Sequence, residues 1–166
     1  MRDPDRGAEV AEALGRLPGG YLAVVGSPGS GKSTLLTRIL RECAQRVVRY
    51  YAYVPDAVGT NVRRGEAINF LHDITVALSR AGVPSGAVLP MEDLDLLAHR
   101  LNDQLQQLHR DWREGGRPTV ILVDGLDHIP REQSPAYSLL AQLPPPEAVP
   151  DGVLFVLGTQ TDVLPG

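Results

Sequence analysis

The sequence predicts an α/β domain in three layers, a mostly parallel sheet with helices on both faces. Three observations carry this. Short apolar, β-branched runs alternate with longer segments whose apolar residues recur at helical spacing. One run, Thr119 to Val123, is apolar without alternation, the pattern of a strand buried on both faces. The 166 residues are 43% hydrophobic and 22% charged, enough for one core and too apolar for a disordered chain. Strands alternating with helices imply βαβ units with right-handed crossovers.

Along the chain, Val10, Ala11, Leu14 and Leu17 mark a short helix from Ala8 to Leu17, ended by Pro18-Gly19-Gly20. Tyr21 to Val25 reads as a strand. A Gly-rich turn then leads into a helix from Thr34 to Cys43, whose apolar face is Leu35, Leu36, Ile39, Leu40 and Cys43. Val47 to Val54 is aromatic and β-branched and stops at Pro55-Asp56, which predicts a second strand. Two helices follow. Ala67, Phe70, Leu71, Ile74, Ala77 and Leu78 mark the first, and Leu94, Leu97, Leu101, Leu105, Leu108 and Trp112 the longer second. Beyond the Thr119 strand, Ser138 to Leu143 predicts a short helix before Pro144-Pro145-Pro146, and Val153 to Leu157 the last strand.

Composition excludes several classes. Cys43 is the single cysteine, which rules out an internal disulfide or a Cys-cluster metal site and suits a reducing compartment, the cytoplasm by default. A net charge of -4 and a pI near 5.5 give no basic footprint for nucleic acid. No apolar run spans a bilayer, so no membrane partner is expected. Of the 16 basic residues only position 32 is lysine; the others are arginine.

That lysine lies in Gly26-Ser27-Pro28-Gly29-Ser30-Gly31-Lys32-Ser33, a full match to the G-x-x-x-x-G-K-[ST] phosphate-binding pattern. Glycines allow positive φ and turn backbone N–H groups inward around phosphate oxygens, and the following helix presents its positive end. Gly26 to Thr34 are therefore the nucleotide-binding candidates. Lys32 reaches the β- and γ-phosphates, and the Ser33 hydroxyl binds Mg²⁺. A strand before the loop and an amphipathic helix after it supply the context the pattern demands. The fold expected is that of a P-loop NTPase, with a nucleoside triphosphate and Mg²⁺ bound; the choice of ATP rests on the resemblance given below and on the absence of a guanine motif.

Val120-Ile121-Leu122-Val123-Asp124 ends a strand on an acid, which assigns Asp124 to the Mg²⁺ as a Walker B aspartate. The residue after it is Gly125, so no adjacent glutamate is present to activate water. Asp127 is the next acid and either reaches the γ-phosphate side or is a solvated turn residue. His128 is a weaker alternative. Thr159 and Gln160 either contact the γ-phosphate or form a polar strand exit. Arg63, Arg64 and Glu66 open the Ala67 helix, where an arginine is a finger for a neighbouring nucleotide or, more simply, a solvated charge. The catalytic candidates are Lys32, Asp124 and Asp127.

With this loop and the Val123-Asp124-Gly125-Leu126-Asp127 run, the chain resembles a STAND-type P-loop ATPase of the NACHT-like, AAA-related class from about Ala8 onward. His128 stands where that group commonly has an acid, and the group often has an arginine near Gln160. The resemblance implies that the Val153 strand lies beside the Tyr21 strand, with the Thr119 and then the Val47 strand further out. It also implies a fifth strand on the other side of the Tyr21 strand. About four strands are present, so residues 1–166 are expected to be the nucleotide-binding domain of a longer multidomain protein, compatible with homo-oligomer formation.

The function so implied is Mg²⁺-dependent ATP binding with slow hydrolysis, used as a nucleotide-controlled switch or oligomerisation module of a signalling or defence protein. The alternatives are a non-hydrolysing interaction module and a small-molecule kinase. A GTPase fits less well: the Asp124 run is not D-x-x-G, and with one lysine, already in the loop, Asn-Lys-x-Asp cannot exist.

Overall fold

A computed structural model describes residues 4–27, 29–52, 64, 66–85, 93–126 and 138–159, without the side chains of Pro4 and Asp5. The elements run α1 (Pro4–Arg16), β1 (Gly20–Val25), α2 (Lys32–Glu42), β2 (Arg46–Tyr51), α3 (Ala67–Arg80), α4 (Leu94–Arg113), β3 (Thr119–Asp124) and β4 (Val153–Thr159). Single 3-10 turns at Leu139–Gln142 and Pro146–Ala148 lie between β3 and β4. The expected α/β class and strand inventory are found.

The four strands form one sheet in the order β1-β4-β3-β2, and all three pairings are parallel. This is the order expected. β3 and β4 are central and buried along their whole length, which is why they are written as continuous apolar runs. β1 and β2 are the outer strands among the described residues, and only Val24 of β1 is buried.

Two cores cover the faces. On one, Val24, Val120, Leu122, Leu154 and Val156 pack with Val10 and Leu14 of α1 and Leu36 and Leu40 of α2. On the other, Val48, Tyr50, Ile121, Val123, Phe155 and Leu157 pack with the apolar stripes of α3 and α4. Tyr21 stacks on Phe155 with ring centroids 5.2 Å apart. The Asp93 side chain caps α4 by accepting from the Leu96 N–H at 3.1 Å.

Boundaries differ where local chemistry outweighs periodicity. α1 begins four residues before Ala8, and α2 begins at Lys32 rather than Thr34 because Gly31 supplies a left-handed start, φ 79° and ψ 17°. β2 ends at Tyr51, and the expected continuation through Val54 lies outside the described residues. The expected helix from Ser138 to Leu143 is only a 3-10 turn, capped by the Ser138 hydroxyl and stopped by the prolines.

Candidate nucleotide site

Parallel pairing brings the carboxyl ends of all four strands to one edge of the sheet. Val25 is opposite Thr159, Val123 opposite Leu157, and Tyr51 opposite Asp124. Gly26 follows β1 directly, and its N–H donates to the Thr159 carbonyl at 3.1 Å, tying the loop to the end of β4. The Ser30 N–H donates to the Ser27 carbonyl at 3.1 Å, so the loop closes on itself. Gly26 and the Ser30 hydroxyl are close: an added Cβ would meet Ser30 Oγ at 2.6 Å, so a side chain at 26 requires that hydroxyl to rotate away.

Gly29 and Gly31 have φ of 72° and 79°, the left-handed region that a side chain disfavours. Successive left-handed and right-handed residues turn backbone N–H groups toward one point. α2 then starts with its first closing bond from the Leu35 N–H to the Gly31 carbonyl at 2.8 Å, and no side chain caps it. A helix leaves its first-turn N–H groups without intrahelical partners and carries a partial positive charge there. Such an uncapped start behind a glycine loop can receive an anion.

Lys32 is half-buried at this start, while Ser33 and Thr34 are exposed, as are Ser27, Gly29, Ser30 and Gly31. Pro28 lies outside the described residues. Asp124 is 3% exposed at the end of β3, and its Oδ1 accepts from the Gly125 N–H at 2.8 Å. Gly125 has φ 82°, so the chain turns sharply just past the acid. Asp124 falls on the same face as Val120 and Leu122, which is the face α2 covers. The predicted loop, Lys32, Ser33 and Asp124 thus converge on one end of one face. Thr159 is buried in β4. Asp127, His128, Gln160 and Arg63 lie outside the described residues.

Two features escape the sequence reading. Arg64 is half-buried rather than solvated, and its Nη1 donates to the Tyr51 carbonyl at 2.8 Å while the Tyr50 hydroxyl donates to the Arg64 carbonyl at 2.6 Å. It clamps the end of β2. Gly158 is the second: the Asp124 carboxylate occupies the space where a side chain at 158 would be. A lone glycine inside an apolar strand is the signal that could have found it.

The residues present fit a Mg²⁺–nucleotide. Ser33 and Asp124 are hard oxygen donors, and no group of three or more His, Cys, Asp or Glu among the described residues could hold a metal. A cation held by these two would take its remaining ligands from phosphate and water, as Mg²⁺ at phosphate sites does.

The sequence model of the AAA ATPase domain matches residues 2–156. The chain belongs to the AAA ATPase domain family. A P-loop NTPase fold is therefore shown by both the family and the parallel sheet. This AAA domain is also 30% identical, over 145 residues, to the GTPase Der of Moorella thermoacetica. That match covers 75% of this chain and 33% of the relative, so the chain spans about a third of the length of the curated relative it matches. No helix among the described residues is long and apolar enough to cross a membrane.

Proposed function

We propose that this AAA domain binds ATP with Mg²⁺ at the Gly26–Thr34 loop and hydrolyses it slowly, as a nucleotide-controlled switch or oligomerisation module in a larger, STAND-type protein. The observation that carries it is the uncapped α2 start behind left-handed Gly29 and Gly31, with the buried Asp124 ending a central strand of the same sheet edge. In this reading backbone N–H groups of the loop receive phosphate oxygens, and Lys32 neutralises the β- and γ-phosphates. Ser33 and Asp124 hold the cation, which when bound screens the charge that builds up during phosphoryl transfer. Asp127 orients the attacking water. With Gly125 in place of an acid beside Asp124, hydrolysis is slow.

The STAND-type assignment is supported by the Val123-Asp124-Gly125-Leu126-Asp127 run and is compatible with the strand order. The outer edge of β1, which pairs with no other strand among the described residues, supports either a further segment of a longer polypeptide or a neighbouring subunit there. One cysteine and no transmembrane helix among the described residues agree with a cytoplasmic setting. The matched relative is named a GTPase, which favours GTP as the second reading, against the absence of Asn-Lys-x-Asp.

Phosphate release with ATP and with GTP, each with and without Mg²⁺, tests this on the wild type, Asp124→Asn and Asp127→Asn. The expected result is slow, Mg²⁺-dependent release from ATP that both substitutions lower by about a hundredfold or more. ATP binding without release favours the non-hydrolysing module, ADP formation that needs an added acceptor and yields no free phosphate favours a kinase, and preference for GTP overturns the adenine reading.

A further inference from the structure

We infer that Gly158 is a positioning residue: it keeps empty the volume into which the Asp124 carboxylate leans, setting that carboxylate over β4 and toward the phosphate loop. The inference rests on the nucleotide-site reading for its functional consequence, but its geometry stands on the fold alone.

An added Cβ at Gly158 would lie 2.8 Å from Asp124 Cγ and closer still to Oδ1. Real Cβ atoms do not approach so near, so the two groups compete for one space. Asp124 belongs to β3 and Gly158 to β4, and β1 lies on the far side of β4. A carboxylate above Gly158 has therefore crossed from its own strand toward β1. Strand alternation puts both residues on the face of Val120, Leu122, Leu154 and Val156, the side covered by α2. Gly158 is paired on its other side with Val24, two residues before the loop begins. The lean thus carries the acid in the direction of Gly26 and the start of α2.

Other reasons for a glycine are missing. Gly158 is not among the positive-φ glycines, so its backbone conformation is open to any residue. It sits in a fully buried strand otherwise written with apolar residues and one threonine, where a glycine loses packing and chain entropy. The close approach of the carboxylate is the one local feature that requires it. With a methyl group there, the carboxylate is pushed back over β3 and its bond from the Gly125 N–H, 2.8 Å long, is disturbed. A displacement of about 1 Å at a positioned group can cost a hundredfold.

The test is a double-mutant cycle of Gly158→Ala and Asp124→Ala in the full chain, read by thermal unfolding without nucleotide and by ATP affinity with and without Mg²⁺. In the wild-type background, Gly158→Ala is expected to lower the unfolding midpoint by about 5 °C and to reduce the Mg²⁺-dependent gain in ATP affinity about tenfold or more. In the Asp124→Ala background the same change is expected to leave the midpoint unchanged or raise it, because the competing carboxylate is gone. If Gly158→Ala alone fails to fold, recovery of folding in the double variant carries the same support. Equal losses in both backgrounds would overturn the inference, since the strand would then reject a side chain for a reason other than Asp124. An unchanged Mg²⁺ response in a destabilised Gly158→Ala would also overturn it. Coupled stabilities in a wild type whose ATP affinity ignores Mg²⁺ would leave the spatial role standing and defeat the proposed function instead.

Discussion

Tyr50 shows how one side chain joins the core to the edge that carries the site. Its ring meets Phe70 edge-on at 5.1 Å, and its hydroxyl donates to the Arg64 carbonyl while Arg64 returns a bond to the Tyr51 carbonyl. Burial raises the phenol pKa above its ordinary value of 10, Asp73 adds to the rise and Arg64 opposes it. Tyr21, whose hydroxyl donates to the Pro144 carbonyl, is raised by burial as well. A group that holds its proton more tightly when folded contributes stability that is complete below the unfolded pKa and is lost as pH rises through the folded one. Resistance to urea is therefore expected to stay level to about pH 10 on account of these phenols and to fall above it. Tyr50→Phe should flatten part of that alkaline fall, and an identical slope in the variant would contradict it. The sequence marks Tyr50 only as an apolar strand residue, because its partner Arg64 is reached across a segment whose path no local pattern specifies.

At the scale of elements, the packing of α3 on α4 depends on Gln104, which is fully buried in the leucine stripe of α4. Its amide nitrogen lies 3.0 Å from the Thr75 carbonyl, 3.1 Å from the Ser79 hydroxyl and 3.0 Å from the Val83 carbonyl. It thereby satisfies the end of α3 and the turn beyond it from inside the core. Gln104→Leu keeps the volume and takes this donor from the Val83 carbonyl, while the Thr75 carbonyl keeps the Ser79 hydroxyl at 2.9 Å and Ser79 Oγ keeps Ser85 Oγ at 3.0 Å, so a loss of about 1 kcal/mol is expected, seen as a lower urea midpoint with an unchanged slope. A neutral result would mean that water reaches the Val83 carbonyl. The stripe Leu97, Leu101, Leu105 and Leu108 was legible from helical spacing, and position 104 falls on the same face. Its polarity hid it, since its partners lie 21 to 29 residues away in sequence. Asp93 as the α4 cap and the early start of α2 at Gly31 were local signals of the familiar kind, readable in principle one residue at a time.

For the whole molecule, the strand order is the one implied by the resemblance that the phosphate loop and the Val123 to Asp127 run carry, and the loop and Asp124 share one end of the sheet because parallel strands bring their carboxyl ends together. The lean of Asp124 over Gly158 was not legible in the sequence, since it depends on which strand lies beside which and at what register. A domain whose loop binds nucleotide only when folded is stabilised by mass action. ATP with Mg²⁺ at a hundred times its dissociation constant should contribute about 2.7 kcal/mol and raise the unfolding midpoint by about 5–10 °C. No shift at any concentration would count against binding. The most direct test of the nucleotide site is calorimetric titration of Mg²⁺–ATP into the wild type and Lys32→Ala, with unfolding midpoints of the nucleotide-free proteins as the control for folding. A positioned ammonium on phosphate predicts an affinity lower by about ten- to a hundredfold in Lys32→Ala, with midpoints alike; equal affinities for the two proteins would contradict the account.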